Sequence, residues 1–184
     1  MEKQFTTRNI VAVAIGTALF GILMNYGGIP VFTNTKLSTA YIIPVVVGGL
    51  FGPIQAGLVG LIGNLFADTI SGSGFWIDWT IGNMFACFFI GALKFYGADI
   101  RRGIFTAKHA AIYAVVTVVG MEISFGLVTP FLTKLLYGGE LAITLTQAQV
   151  AVVANSVVAL VVGIPLLFSL AKRYQGTTNL VDEA

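Results

Sequence analysis

Pro53-Ile-Gln-Ala-Gly-Leu-Val-Gly-Leu-Ile-Gly-Asn-Leu-Phe-Ala-Asp-Thr-Ile70 carries no formal charge until Asp68. About 20 predominantly apolar residues cross a bilayer as helix, so this stretch reads as a membrane span. Its three glycines recur every third residue and its polar groups, Asn64 and Asp68, gather toward one end. The rest of the chain agrees with that reading. Across 184 residues, 57% are hydrophobic and 10% charged, against about 25% charged in an ordinary soluble domain. Ten Lys+Arg and eight Asp+Glu cannot clothe a soluble surface of this size, and mean hydropathy is +0.90.

The composition also excludes functions. No basic patch exists to neutralise a run of phosphates, so a nucleic-acid partner is ruled out. One cysteine, Cys87, and one histidine, His109, preclude a disulfide framework or a Cys/His zinc site. Met1 to Phe5 has no small-residue cleavage signal, so the first apolar segment is expected to be retained. No phosphate loop occurs, so the chain cannot hydrolyse ATP alone. Asp68 and Asp78 have neither a nucleophile nor a metal to work with, and catalysis is not expected. No cofactor of its own is expected either.

Outward from 53–70, the chain divides into an all-α integral membrane protein of six transmembrane helices in a single domain over 1–184. The segments are about 9–26, 37–51, 53–70, 78–96, 109–136 and 144–171. The second is the shortest, roughly 15 residues with Pro44 inside it; interrupted segments of this kind place substrate sites or simply kink a packed helix. An even span count puts both termini on one side. Lys3, Arg8, Lys94, Arg101, Arg102, Lys108, Lys172 and Arg173 then share that side, leaving only Lys36 and Lys134 opposite. The asymmetry predicts cytoplasmic termini.

With orientation set, polar residues acquire a depth. Asn25, Tyr26, Tyr41, Asn64, Asp68, Asp78, Asn83, Gln147, Gln149 and Asn155 fall in the outer half, with Glu122 near mid-depth. The inner half offers chiefly Gln55, Thr117 and Ser169. Polar groups in hydrocarbon are costly and turn to a cavity or a partner, and polarity confined to one half fits a pocket better than a pore. Singly, Asn64, Asn83 and Asn155 read either as interhelical glue or as pocket lining; for Asp68 and Glu122 the functional reading is preferred. Gly27 to Lys36, with hinge glycines, apolar residues and Asn34, Thr35 and Lys36, fits a lid. Gly72-Ser73-Gly74 before Phe75-Trp76 reads as a second flap or an ordinary turn, and Trp76 and Trp79 also suit outer-interface anchors. Ala14-Ile-Gly-Thr-Ala18, extended by Ala12 and Gly16, forms a small-residue ridge for close helix approach. Gly57, Gly60 and Gly63 form another, expected to serve internal packing.

Together with Pro30 to Leu37 (P-V-F-T-N-T-K-L), Phe51-Gly52-Pro53, Gly57 to Asp68 (G-L-V-G-L-I-G-N-L-F-A-D) and Gly74 to Gly82 (G-F-W-I-D-W-T-I-G), this pattern resembles the S components of energy-coupling factor (ECF) vitamin importers. The likeness is to the riboflavin-like and queuosine-precursor-like branch, which includes cobalamin-specific members. The resemblance implies a high-affinity substrate-binding subunit in the bacterial cytoplasmic membrane. It implies a vitamin bound at the outer side, a first loop that closes over it, and docking on a transmembrane coupling subunit through Ala14 and Ala18. Two partner ATPases would power delivery. Lone His109, far from the N-terminus, is a poor match to the nickel and cobalt branch. Cobalamin is the expected ligand, since Asn64, Asn83, Gln147 and Asn155 suit a molecule bearing many amides and a short second helix allows a wide mouth. A flavin or deazapurine precursor stacked on Trp76 or Trp79 is the alternative. Readings of another class are a scaffold that binds no ligand, or a proton-linked channel using Glu122. The expected site is thus Asn34, Thr35, Lys36, Tyr41, Asn64, Asp68, Trp76, Asp78, Trp79, Asn83, Glu122 and Asn155.

Overall fold

The computed structural model describes residues 6–32, 35–72 and 74–179, with backbone only for 177–179. Helix α1 (Thr7–Tyr26) begins where the Thr6 hydroxyl accepts the Asn9 amide, satisfying one of the orphan donors of its first turn. A β-hairpin follows, β1 (Gly28–Phe32) and β2 (Thr35–Ser38), then a 3-10 turn (Thr39–Tyr41) into α2 (Ile42–Phe51). Gly52, at φ 108°, makes the corner into α3 (Pro53–Ser71), a conformation only glycine adopts without strain. Then come α4 (Ile77–Ile90), two 3-10 turns (Ala92–Tyr96 and Ile100–Arg102) and α5 (Ala107–Met121). A π-helical segment (Glu122–Val128) joins α5 to α6 (Thr129–Tyr137), and α7 (Leu141–Val161) runs on into α8 (Gly163–Asn179).

Among the described residues, four helices are long and apolar enough to cross a membrane: Thr7–Tyr26, Pro53–Ser71, Ala107–Tyr137 and Leu141–Gly176. Thr39–Phe51 and Ile77–Ile90 are apolar but shorter. Large apolar side chains stay exposed along α1, α5, α6 and α7, as a lipid-facing belt requires.

The structure is mostly helical, and it refines three expectations. The first loop pairs as a hairpin, Gly28 with Ser38, Ile29 with Leu37 and Pro30 with Lys36. Pro30 is tolerated there because the sheet has only two strands and both are edges. Leu37 therefore belongs to β2, and the second segment starts at the 3-10 turn. Pro44, in the first turn of α2, removes an amide hydrogen that had no intrahelical acceptor anyway. At the other end of the fourth segment, α-helix stops at Ile90 and Ala92–Tyr96 tightens into 3-10 geometry.

The glycines of α3 fix its neighbours. A Cβ on Gly60 would lie 2.4 Å from the Asn83 carbonyl oxygen of α4, and one on Gly63 would lie 2.8 Å from the Phe20 ring of α1. So α3 is wedged between α1 and α4 with backbones nearly touching, and its glycines pack the bundle internally. Lone His109 is likewise structural, its Nδ1 accepting the Thr106 amide in a capping box at the start of α5.

Candidate functional site

The stripe Gly60, Asn64, Asp68 advances four residues at a time along α3, hence along one face. Because Gly60 lets α4 approach, the residues one and two turns further on meet α4 as well. The Asn83 side-chain amide donates to Asn64 Oδ1 at 3.0 Å and to the Trp79 carbonyl at 3.0 Å, while its Oδ1 accepts the Tyr41 hydroxyl at 2.7 Å. The Asn64 amide donates to Thr80 Oγ1 at 2.9 Å and, longer, to Asp68 Oδ2 at 3.4 Å. Asp68 Oδ2 also accepts the Trp76 backbone amide at 3.1 Å. A chain of hydrogen bonds thus runs from Tyr41, through α3 and α4, to the turn that carries Trp76. Tyr41, Asn64, Thr80 and Asn83 are all buried, so the chain is stiff and shielded from water.

Above this chain lies a cavity of about 610 Å³. Tyr41, Asn64, Asp68, Trp76, Trp79 and Asn83 line it from the α2–α4 side, and Gln147, Ala151 and Asn155 of α7 from across. Its rim is the hairpin, through Pro30, Phe32, Thr35, Lys36 and Ser38, together with Met24 and Asn25 at the end of α1. The hairpin is tied down at several points. Thr39 Oγ1 donates to the Gly27 carbonyl at 2.6 Å, Lys36 Nζ to the Asn25 carbonyl at 3.1 Å, and the Ser38 amide to Asn155 Oδ1 at 3.3 Å. Asn25 itself donates to the Ala67 carbonyl of α3 at 2.8 Å, so its side chain braces the rim. Trp79 packs on Phe125 at 5.7 Å, and Trp76 meets Tyr137 edge-on at 5.6 Å.

Of the residues expected to form one site, Asp78 and Glu122 do not line the cavity. Asp78 is fully buried in the first turn of α4 and receives the Thr133 hydroxyl of α6. A carboxylate there is favoured by the helix N-terminus and joins two helices. Glu122 opens the π-helical segment, and its Oε1 accepts from exposed Gln149 of α7 at 2.7 Å, outside the cavity. Asn34 and the flap residue Ser73 lie outside the described residues. Pro30 and Phe32 belong to the stretch read as a lid, whereas sequence reading passed over Met24, Ser38, Ser71 and Ala151 as lining. Of these four, Ser38 offered a signal, a hydroxyl beside the lid stretch.

On α1, Ala14 is exposed and Ala18 half-buried, flanked by Val11 and Ile15, which are 50% and 57% exposed. Gly16 points the other way, 2.9 Å from Val59 measured from a built Cβ, so it belongs to the internal packing and not to the outer ridge.

Chemically, the cavity offers one carboxylate, one ammonium group, several amides and hydroxyls, and two indole rings. Among the described residues no three His, Cys, Asp or Glu side chains gather as a metal would need. A few placed polar groups among aromatic walls are the equipment of a small-molecule site.

A family model described as "ECF-type riboflavin transporter, S component" matches residues 4–172. A UPF0397 protein of Vibrio atlanticus (strain LGP32) is 32% identical over 181 residues, covering 97% of this chain and 99% of the relative. One from Aliivibrio salmonicida (strain LFI1238) is 34% identical, covering 97% and 98%. Among solved structures, the crystal structure of FolT bound with folic acid superposes with a TM-score of 0.63 over 91% of this chain and 95% of that one. At 18% sequence identity, that likeness is one of fold.

Proposed function

The chain belongs to the family of ECF-type riboflavin transporter S components, multi-pass membrane proteins that bind substrate and are not enzymes, and on that premise we propose how it works. It captures a vitamin from the outer side of the cytoplasmic membrane in the cavity beneath the hairpin. It then hands the vitamin to a module of one transmembrane coupling subunit and two ATPases. The observation that carries this reading is the closed hydrogen-bond chain Tyr41–Asn83–Asn64–Asp68 under a hairpin-rimmed cavity of about 610 Å³. Pockets for small organic ligands span about 300–1,000 Å³.

Six spans with cytoplasmic termini complete the proposal, the two shorter helices being read as spans too. Arg8 and Arg101 approach the ring of Phe51 at 5.8 and 4.8 Å, which gathers the start of α1, the end of α2 and the α4–α5 connection at one end. The cavity lies at the other end of α1, beside Met24 and Asn25. Basic residues at the end away from the cavity fit an outward-facing pocket.

For the ligand, a single flat ring system of flavin or deazapurine size is the first reading. Cobalamin is the second. The amide-rich lining favours it, yet Asn64 and Asn83 spend their amide hydrogens on each other's neighbourhood. A corrinoid would also need the hairpin lifted. Docking is assigned to the exposed α1 face at Ala14 and Ala18.

The test is co-purification and uptake with the coupling subunit and ATPases. Ala14→Trp abolishes uptake and co-purification while leaving vitamin affinity intact. Equal loss of affinity removes the docking assignment, and undiminished uptake does the same.

A further inference from the structure

Counting the hydrogen bonds still open to a ligand narrows what the cavity recognises. Both amide hydrogens of Asn83 are taken, by Asn64 Oδ1 and the Trp79 carbonyl, and its Oδ1 is taken by Tyr41. Both amide hydrogens of Asn64 are taken by Thr80 and Asp68, and its Oδ1 by Asn83. These two residues hold the floor and have nothing left to donate. Asp68 differs. Its Oδ2 is held by Trp76 and Asn64, the latter at a long 3.4 Å, whereas Oδ1 accepts from none of the described residues. No described cation pairs with this carboxylate, although it lies half-buried in the cavity wall. An ionised carboxylate only accepts, and an unpaired one in a partly dehydrated site calls for donors.

Resting on the reading of this cavity as the vitamin site, we infer that Asp68 is the specificity-determining residue and that the ligand presents it with two adjacent N–H donors, as the edge of a fused 2-amino-4-oxopyrimidine ring does. The ring N–H and the exocyclic amino group point in one direction, spaced as the two oxygens of a carboxylate are, and a charge-assisted pair of this kind is the strong form of hydrogen bond. Oδ1 takes one donor in full and Oδ2 takes the other in place of its long Asn64 contact. A 2,4-dioxo edge instead sets carbonyl oxygens on either side of one N–H, and a carboxylate repels them. The peripheral amides of a corrinoid offer single, freely turning donors. Trp76 and Trp79, the residues that follow along the same wall, supply the flat surface. Lys36 at the rim uses one of its three donors on Asn25 and keeps two for acceptors on the ligand's substituent.

Pterin and lumazine share one bicyclic skeleton and differ at position 2, amino against oxo. Calorimetric titration of the purified full-length protein in detergent with both, beside riboflavin and cobalamin, tests the inference without any variant. Pterin is expected to bind about tenfold or more tighter than lumazine, the discrimination typical of one charge-assisted hydrogen bond. In Asp68→Asn, whose amide can donate to a carbonyl, the preference is expected to vanish or invert while the melting temperature holds. Lumazine binding as tightly as pterin, or a pterin preference that survives in Asp68→Asn, overturns the inference. Tight binding of riboflavin or cobalamin with none of pterin overturns it and leaves the vitamin-binding reading standing. No binding of any of the four, with no small molecule retained through purification, removes both.

Discussion

Asp68 and Glu122 are both acids on apolar helices long enough to span a membrane, and the bundle treats them in opposite ways. Asp68 rides on a face of α3 that glycine has pressed against α4, so its neighbours are fixed and it lines the cavity. Glu122 sits where α5 gives way to a π-helical segment, and it satisfies itself on the outside of the bundle with Gln149. Pro130, without an amide hydrogen, stands two residues beyond that segment and removes one rung of the regular ladder. The wider π turn shifts the helical register, which turns side chains away from where an uninterrupted helix would carry them. An acid within a membrane helix is not thereby part of a site; the way it faces decides.

That contrast can be broken by substitution. The largest effect is expected at the floor of the cavity. Asn83→Leu strips partners from Tyr41 and Asn64, two buried groups at about 1–3 kcal/mol each, for a loss of roughly 3 kcal/mol in stability. Unfolding in detergent measures it, and a loss below that of Tyr41→Phe contradicts the network. Next, Asp68→Asn is expected to weaken binding of the native vitamin about tenfold or more, read by titration. Tyr41→Phe removes one hydroxyl while leaving Asn83 Oδ1 without its donor, at about 1 kcal/mol. Glu122→Gln sharpens the comparison by doing least, because the new amide oxygen still accepts from Gln149; affinity stays within error of the parent. A large loss of affinity there would place Glu122 in the site after all.

Much of this was legible in the sequence, and the boundary has a physical reason. Hydropathy and charge give the segments and the depth of each polar residue, so Tyr41, Asn64, Asp68, Asn83 and Asn155 could be grouped before any coordinates. The stripe Gly60–Asn64–Asp68 even encodes its own partner, since the glycine that admits α4 stands one turn before the residue that bonds to it. The hairpin was legible as a cover but not as strands. Its strands are five and four residues long, one with a proline, and alternation needs more length to register. That Asp78 and Glu122 lie off the cavity was not legible, because a one-dimensional reading cannot say which way α6 leans or where a π turn resets the register. Ala14 is exposed and Ala18 half-buried, while Gly16 between them turns inward, a distinction that only the positions of α2 and α3 decide.

The central claim is that this cavity holds a vitamin. Mass spectrometry of small molecules retained by the purified, detergent-solubilised protein, followed by titration of the emptied protein with whatever is found, tests it most directly. The account predicts one retained nitrogen heterocycle that rebinds in a one-to-one ratio and whose affinity drops in Asp68→Asn but not in Glu122→Gln. A protein that retains nothing and gives a flat titration across flavin, pterin, deazapurine and corrinoid would contradict it and favour a scaffold that binds no ligand.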